Sequence, residues 1–406
     1  MAEPLSFCMV TTFYPPHHFG GDAMHVYRLA NELARRGHRV TVVHSVDAYR
    51  VLRKGEPAAD FPNEPGVEVV PIRRGRAAPV ATYLTGRPML NARTLRRVLD
   101  GGRFDVVHFH NVSLVGGPGV LAYGSGVKLY TMHEHWLVCP MHVLWKYDRE
   151  PCVQPACLRC SLVFHRPPQA WRHTSLLERA AGEVDLFLSP SRFTRDAHVE
   201  RGFARPIRTL PYFLPTTAAE WSADGVTARD RPYFLYVGRL ERLKGVDGLI
   251  ERFRTYREAD LLIAGDGEHA AELRRLAQGL EHVRFLGRVH PTELPRLYAG
   301  AIALLVPSIG YEVFGIVILE AFAQRTPAIV HNVGALPEVI AESAGGATYR
   351  TSEELLVAME ELRLNPALRE ERGARGHEAW RARWSEDPHV TGYFEAIEEA
   401  RAISRR

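Results

Sequence analysis

Short runs of apolar residues alternate with amphipathic stretches along this chain. The apolar runs are rich in Val, Ile, Leu and Phe, which is typical of strands buried in a parallel sheet. The predicted strands are 5–12, 39–45, 66–72, 104–108, 128–133, 185–189, 233–237, 260–264, 282–286, 301–307 and 327–331. The predicted helices are about 23–36, 92–99, 175–181, 353–362, 370–383 and 389–402, with another beginning near 191. This alternation predicts an α/β chain with two doubly wound domains.

A loop rich in proline and glycine follows the first predicted strand. It ends in Gly20-Gly21, and the first predicted helix begins directly after it. Because doubly wound folds bind ligands beyond the carboxyl ends of their strands, this loop is a candidate ligand site. The glycines do not form the pattern G-x-G-x-x-G, so a dinucleotide is not indicated, and a plain turn is the alternative interpretation.

A second glycine loop carries basic side chains. It runs from Gly238 to Gly245, directly after the strand predicted at 233–237, and contains Arg239 and Lys244. An arginine offers a fork of hydrogen-bond donors and a lysine a compact charge, a combination that suits a diphosphate. The alternative is an exposed basic loop that binds nothing.

Two carboxylates frame the stretch 311–320, which reads Tyr-Glu-Val-Phe-Gly-Ile-Val-Ile-Leu-Glu. Gly315, between Glu312 and Glu320, indicates a turn that leads into a helix. The first backbone N–H groups of a helix favour an anion such as phosphate, so this stretch is a second candidate for a phosphate site. The alternative is an amphipathic helix with two solvated glutamates.

These motifs resemble those of glycosyltransferase family 4, retaining enzymes with the GT-B fold and an E-x7-E signature. The resemblance rests on Gly-Arg-Leu-x-x-x-Lys-Gly at 238–245 and Glu-x-Phe-Gly-x-x-x-x-Glu at 312–320. It implies two Rossmann-like α/β domains that face each other across a cleft, with a nucleoside-diphosphate sugar bound on the second. The implied donor contacts are the diphosphate (Arg239, Lys244), the sugar and phosphate oxygens (Glu312, Phe314, Gly315, Ile316) and the ribose hydroxyls (Glu320).

Five further residues are assigned by weaker matches to the same family. Gly20 and Gly21 correspond to a loop that faces the donor diphosphate and the acceptor. His133 corresponds to a histidine that contacts the donor sugar; with Arg239, Lys244 and Glu312 it completes the implied catalytic set. Glu134 follows it where many members have Asp. Arg288 and Val289 correspond to a place where the backbone recognises the base.

The domain limits follow from these assignments. Residues 1–210 are expected to form an acceptor-side Rossmann-like domain with a cysteine-bearing insert at 136–172. Residues 211–388 are expected to form the nucleotide-sugar-binding domain, with a linker or edge loop at 218–231. The resemblance implies that the last helix, residues 389–406, returns to the first domain.

Four of the five cysteines are clustered, at Cys139, Cys152, Cys157 and Cys160. Their surroundings are loop-like and have little to form a core, so a metal would supply stability, and four thiolates favour structural Zn²⁺. The spacing C-x4-C-x2-C also matches an iron–sulfur pattern, and free or disulfide-linked cysteines are a third interpretation. Nearby aromatic residues suit either sugar stacking or packing of the insert: Trp136, Trp145, Tyr147 and Trp171. Catalysis itself is expected to need no cofactor, since two cations already serve the diphosphate.

Charge and composition narrow the list of partners. The 406 residues are 46% hydrophobic and 24% charged, as in globular proteins, and a net charge of +4 does not indicate nucleic-acid binding. Arginines nevertheless crowd one section of the first half, which predicts a solvated surface or peripheral contact with an anionic acceptor or a membrane. These are Arg73, Arg74, Arg76, Arg87, Arg93, Arg96, Arg97 and Arg103.

The sequence shows neither a signal peptide nor an apolar run of membrane-spanning length. We therefore expect a cytoplasmic protein, whose cysteines are reduced or bind a metal. The abundance of Arg, Ala and Gly is compatible with a GC-rich bacterial genome.

The resemblance to family 4 implies a retaining glycosyltransferase that moves a sugar from a nucleoside diphosphate to a glycan, a lipid-linked acceptor or a small molecule. One alternative is a nucleotide-sugar epimerase of similar build, which would form product without an acceptor. The other is a non-catalytic glycosyltransferase-like scaffold that binds a partner through the cysteine insert.

Overall fold

The computed structural model describes residues 3–53, 57, 61–218 and 231–405. The chain divides into two compact units, Met1–Pro211 with Val390–Arg406, and Tyr212–His389. Apart from its two ends, the linker predicted at 218–231 lies outside the described residues. In the described part of the chain, no helix is both long and apolar enough to cross a membrane.

The first unit is built on a parallel sheet. Its described strands are β1 (Ser6–Val10), β2 (Arg39–Ser45), β3 (Val67–Ile72), β4 (Val106–Phe109), β5 (Val127–Thr131), β6 (Trp145–Lys146), β7 (Glu150–Pro151), β8 (Leu186–Ser189) and β9 (Ile207–Thr209). Of these, β6 and β7 form a short antiparallel hairpin in the cysteine insert. The others form one sheet in the order β3-β2-β1-β4-β5-β8-β9. Strands β1 and β4 are buried along their whole length, which explains their uninterrupted apolar sequence.

The helices of the first unit are α1 (Gly21–Arg35), α2 (Val46–Leu52), α3 (Ala77–Thr85), α4 (Ala92–Leu99), α5 (Cys157–Val163), α6 (Leu176–Ala181) and α7 (Arg192–Val199). Serine caps begin two of them: the Ser45 hydroxyl accepts from the amide of Ala48, and the Ser191 hydroxyl from that of Thr194. The helix predicted near residue 191 is confirmed. Helices α2 and α3 were not predicted, because their segment is rich in Arg and Pro and lacks a regular apolar period.

The second unit repeats the architecture. Its described strands are β10 (Tyr233–Val237), β11 (Asp260–Ala264), β12 (Val283–Gly287), β13 (Leu304–Val306), β14 (Ala328–His331) and β15 (Gly346–Tyr349). Its helices are α8 (Val246–Phe253), α9 (Ala270–Leu276), α10 (Leu294–Ala299), α11 (Ile316–Ala323), α12 (Leu336–Ser343), α13 (Ser352–Leu364) and α14 (Pro366–Arg383). The last helix, α15 (Glu386–Ser404), begins here, and its residues from Val390 onward belong to the first unit.

Both large sheets have the same strand order. The second runs β12-β11-β10-β13-β14-β15, and the first has the equivalent order with β9 added at one edge. The prediction of two doubly wound parallel sheets is therefore confirmed. The order reverses between β1 and β4 and again between β10 and β13. Such a switch point opens a crevice beyond the carboxyl ends of the strands, where folds of this kind bind ligands.

Candidate active site

The loop after β10 packs closely against the loop after β13. A 3-10 turn, Arg242–Lys244, ends at Gly245, whose φ of +68° lies in the left-handed region. A Cβ at Gly245 would lie 2.2 Å from the carbonyl oxygen of Pro307, so only glycine fits between the two loops. This contact fixes the backbone beside Lys244 at the switch point of the second sheet.

Lys244 and Glu312 form an ion pair at this switch point. The ammonium nitrogen of Lys244 lies 2.6 Å from Oε1 of Glu312, and the same oxygen accepts from the Ser308 hydroxyl at 2.7 Å. The two charged side chains are 24% and 20% exposed, so the pair is shielded but open to a ligand. Ser308 was not predicted, since nothing in the local sequence distinguishes its hydroxyl from that of an ordinary loop serine.

The Glu312 carboxyl is ionised at neutral pH. Burial tends to raise its pKa, but the Lys244 ammonium and the Ser308 hydroxyl outweigh that effect, with a further contribution from the charge of Arg239. The pKa of Glu312 therefore lies below its ordinary value. A carboxylate held in this state can accept hydrogen bonds from a ligand's hydroxyl groups.

The backbone of Glu312 is also fixed from a third loop. Gly334 follows β14 with a φ of +65°, and a Cβ there would lie 2.8 Å from both the amide nitrogen and the carbonyl oxygen of Glu312. The amide of Ala335 donates to the Glu312 carbonyl at 3.0 Å. His331 Nδ1 donates to the Ser308 carbonyl at 2.8 Å. The loops after β10, β13 and β14 thus hold the ion pair together.

Helix α11 starts beside this ion pair in sequence. It begins at Ile316, directly after Gly315, whose φ of +96° is left-handed. The amide of Ile318 donates to the Gly315 carbonyl at 2.9 Å, so the amides of the first turn that suit an anion are those of Ile316 and Val317. Glu320, in the next turn, accepts from the Tyr298 hydroxyl at 3.0 Å. The Phe314 side chain is buried in the core of this unit, so any ligand contact by this residue is made by its backbone.

The other predicted donor contacts of this unit are more exposed. Arg239 pairs with Glu241 at 2.5 Å on the surface of the glycine loop. Arg288 is 60% exposed and lies 3.7 Å from Asp266, while Val289 packs partly against the core. The structure therefore brings Lys244 and the Glu312 carboxylate into contact, and leaves both arginines reaching into solvent.

In the first unit, the predicted glycines lie at the start of α1. Gly20 precedes the helix with extended backbone, and Gly21 is its first residue. Asp22 follows and accepts from the Asn111 side chain at 3.4 Å. Asn111 belongs to the loop after β4, so this contact joins the two loops that flank the switch point of the first sheet.

His133 lies just beyond β5 among other buried histidines. Its Nε2 is 2.9 Å from Nδ1 of His110, and its ring centre is 5.5 Å from that of His25. The ring of His110 lies 3.9 Å from that of His108, at the end of β4. The contact of these two histidines with His133 depends on the pairing of β4 with β5.

Burial keeps several imidazoles of this unit neutral. It lowers the pKa of His133 to about 4, although the charge of Asp22 acts in the opposite direction. It also lowers the pKa of His44 to about 3, that of His135 to about 3 and that of His198 to about 4. At pH 7 these rings are uncharged.

We expect the free energy of unfolding to fall as the pH drops from about 6.5 towards 4. In this range the histidines of the unfolded chain bind protons, whereas the buried imidazoles of the folded protein stay neutral. For His133 alone the loss at pH 5 is about 2 kcal/mol. Thermal unfolding followed by circular dichroism between pH 8 and pH 5 measures it. Replacing His198 by glutamine should flatten the dependence, whereas replacing the exposed His290 should not; a midpoint independent of pH would contradict the assignment.

The four clustered cysteines lie near one another in the insert. Cys139 and Cys160 are buried, and the Cys160 sulfur is 3.9 Å from the carbonyl oxygen of Trp145 in the β6–β7 hairpin. Burial raises the pKa of Cys152 and of Cys157, and the charges of neighbouring thiols in the cluster raise both further. Within the described residues, no three His, Cys, Asp or Glu side chains are arranged as metal ligands. A zinc ion at this cluster stays a prediction.

The tryptophans of the insert pack into the protein. Trp136, Trp145 and Trp171 are at most 9% exposed, and the guanidinium of Arg172 lies over the rings of Trp136 and Trp171. Of the two interpretations open to these tryptophans, sugar stacking is therefore wrong and packing is correct.

Two family models match most of the chain. The family described as Glycosyltransferase Family 4 matches residues 19–218, and the family described as Glycosyl transferases group 1 matches residues 218–379. Among curated proteins, a glycogen synthase from Mycobacterium tuberculosis is 29% identical over 359 residues, which cover 84% of this chain and 81% of the relative.

Solved structures share the fold over the whole chain. A sucrose-phosphate synthase from Thermosynechococcus elongatus aligns with a TM-score of 0.73 at 19% identity, covering 98% of this chain and 99% of that one. HepE from Anabaena, in complex with UDP and glucose, aligns with a TM-score of 0.69 at 16% identity, covering 97% and 99%. Two adjoining family matches, two doubly wound sheets and this structural likeness lead to one conclusion: the chain belongs to the family 4 glycosyltransferases of the GT-B fold.

Proposed function

We propose that this glycosyltransferase moves a sugar from a nucleoside-diphosphate sugar to an acceptor with retention of anomeric configuration. The observation that supports it best is the ion pair of Lys244 and Glu312, fixed by Ser308 at the switch point of the second sheet. The Lys244 ammonium, the ionised Glu312 carboxylate and the start of α11 all belong to segments that follow strands of the second sheet. Doubly wound folds bind nucleotides at such strand ends.

The side chains of Lys244 and Arg239 would bind the diphosphate of the donor. Lys244 has three N–H donors, so it can keep its bond to Glu312 while it binds a phosphate oxygen. Arg239 is exposed beside the same loop and can turn from Glu241 to the ligand. Together with the amides at the start of α11, these groups would stabilise the charge that develops on the departing diphosphate.

The carboxylates of Glu312 and Glu320 would accept hydrogen bonds from the hydroxyl groups of the donor. Glu312 would orient the sugar by accepting from its hydroxyls, and Glu320 would accept from the ribose. The Tyr298 hydroxyl engages Oε2 of Glu320, which sets the direction of that carboxylate. In the first unit, a neutral His133 would contact the sugar, and Gly20-Gly21 would let the backbone approach the donor and acceptor.

We propose that the transfer takes place on one face of the sugar. The bond between the anomeric carbon and the diphosphate oxygen breaks, the bond to the acceptor oxygen forms on the same face, and the acceptor's proton leaves with the diphosphate. Glu312 is engaged with Lys244 and Ser308, an arrangement that suits an orienting role better than nucleophilic attack.

The compared proteins support the choice of donor class. HepE holds UDP and glucose, and the relative from Mycobacterium is a glycogen synthase. A nucleoside-diphosphate hexose is therefore the donor we propose, with a glycan, a lipid-linked sugar or a small molecule as acceptor. A nucleotide-sugar substrate and cysteines that form no disulfide both suit the cytoplasm.

The test is an assay of diphosphate release from UDP-, GDP-, ADP- and dTDP-hexoses, with and without a panel of acceptors. We expect release with one base to depend on an acceptor, and nuclear magnetic resonance of the product to show the donor's anomeric configuration. Isomerised donor formed without acceptor would instead indicate an epimerase. Absence of any turnover, with donor binding intact, would favour a scaffold, and an inverted linkage would contradict the mechanism.

We further propose that the cysteine cluster binds structural zinc. Purified protein should then contain about one zinc per chain, and removal of the metal by a chelator should lower the thermal midpoint. The double variant C139S/C160S should lose the metal, whereas Cys8→Ala, which changes a buried cysteine outside the cluster, should keep it. Metal-free protein of unchanged stability, or disulfides found by mass spectrometry, would refute the zinc site.

A further inference from the structure

Helix α3 turns apolar side chains towards solvent. Ala78, Pro79 and Thr82 are buried, whereas Val80 and Leu84, one helical turn apart, are 46% and 44% exposed. A helix that only packs on a core shows the opposite arrangement, with apolar residues inside and polar ones outside. The outward stripe therefore calls for another explanation than core packing.

The apolar surface continues beyond this helix. Met89 and Leu90, in the 3-10 turn between α3 and α4, are 49% and 52% exposed. On α5, three further residues are exposed: Leu158, Leu162 and Val163. Pro167, four residues after the end of α5, lies beside α3, because the Tyr83 hydroxyl donates to its carbonyl at 3.0 Å.

The surrounding charge has a single sign. Residues 69–99 contain no Asp or Glu, and residues 151–177 contain none either. The first of these segments carries seven arginines, all exposed: Arg73, Arg74, Arg76, Arg87, Arg93, Arg96 and Arg97. Considering only residues that the structure describes, none of the seven pairs with a carboxylate. We call the surface formed by α3, α4, α5 and these side chains the arginine face.

Another apolar patch of the protein lacks this charge pattern. On α13 in the second unit, Val357 and Leu364 are 67% and 65% exposed. The groove beside them is also lined by Glu360 and Glu361. Apolar exposure alone is thus present elsewhere, and the combination with unpaired arginines distinguishes the arginine face.

We propose that the arginine face docks the protein on an anionic lipid bilayer. Charge complementarity identifies the partner. Lipid phosphates can bind the seven exposed guanidinium groups, none of which has a carboxylate partner among the described residues. The exposed side chains of α3 and of the turn after it enter the boundary between headgroups and acyl chains, as in other amphipathic surface helices. This inference does not depend on the donor or on the mechanism of transfer.

The test is co-sedimentation of the full chain with vesicles of phosphatidylcholine, alone or mixed with phosphatidylglycerol. We expect binding to the mixed vesicles only, and we expect it to weaken as salt shortens the range of the charges. Each arginine near the surface contributes about fivefold to binding, so R87Q/R93Q should bind about 25-fold more weakly. The variant L84S/L90S should bind more weakly at every salt concentration.

Two matched variants control for nonspecific loss of charge or apolar surface. V357S/L364S removes two apolar residues that are even more exposed than Leu84 and Leu90, and R275Q/R375Q removes two exposed arginines that pair with carboxylates. Both should bind mixed vesicles as the parent does, and all four variants should retain the parent's melting temperature. Equal binding to both vesicle types, no binding at low salt, or binding unaffected in R87Q/R93Q would overturn the proposal. If L84S/L90S lost a dimer that the parent forms while its vesicle binding stayed unchanged, the arginine face would instead be an interface with a second copy of the chain.

Discussion

Replacing Lys244 by methionine is expected to lower kcat/KM by about 10²–10³-fold, the usual cost of removing one preorganised group that stabilises transition-state charge. Lys244 is in place before the donor arrives, since Glu312 and the close contact of Gly245 with Pro307 fix it. Methionine keeps the length and apolar stem of the side chain but has no charge. Steady-state kinetics of diphosphate release measures the effect.

The variant also leaves Glu312 without its main cation, which lowers the stability of the fold. A lower measured activity then has two causes to separate, a loss of folded protein and the missing charge in the site. The double variant K244M/E312Q separates the two, because the neutral amide no longer needs a cation. We expect it to recover the melting temperature lost in K244M but not the activity. Arg375→Met, which breaks an exposed ion pair with Glu371 on α14, should leave kcat/KM unchanged. Recovery of activity in the double variant would contradict a direct role for the lysine.

Replacing Gly334 by alanine is expected to lower kcat/KM by about 10²-fold, since a displacement of about 1 Å at a catalytic group costs this much. The added Cβ would lie 2.8 Å from the backbone of Glu312 and must push it away from Lys244 and Ser308. The left-handed backbone adds about 1–2 kcal/mol of strain. Kinetics and thermal unfolding of the same sample report the two effects.

Gly279→Ala provides the matched control for that strain. Gly279 has a φ of +81° in the same unit, but a Cβ there would have nothing within 4 Å. We expect both variants to lose the stability that a left-handed alanine costs, Gly334→Ala to lose more because of its contact with Glu312, and only Gly334→Ala to lose activity. An equal loss of activity in both would show that the contact with Glu312 is not what matters.

Sequence reasoning found those residues of the site whose role is indicated by the residues immediately around them in the chain. Lys244 and Glu312 are charged residues in glycine-containing loops that follow strands, and Glu320 stands eight residues after Glu312, so a short segment is enough to recognise each. Ser308 and Tyr298 were missed because their roles depend on tertiary contacts: a loop serine turned onto Glu312 and a tyrosine that reaches Glu320 across helices.

The fold class followed from the alternation of buried strands and amphipathic helices, but some strands and helices begin or end at other residues than predicted. The strand predicted at 104–108 begins at Val106, because the carboxylate of Asp105 takes the Ser6 amide in place of a strand carbonyl. Helix α3 escaped prediction for a physical reason: its apolar residues Val80 and Leu84 face solvent, so no buried stripe marks it. The same feature makes it a candidate docking surface.

The most direct test of the central claim is a calorimetric titration of the protein with UDP, GDP, ADP and dTDP. We expect one diphosphate to bind. K244M should weaken its binding through the diphosphate, and Glu320→Gln should weaken it through the ribose. Bound ligand should also raise the thermal midpoint, and the rise should continue with the logarithm of the ligand concentration above Kd. If none of the four binds, or if both variants bind as the parent does, the switch point of the second sheet is not the donor site.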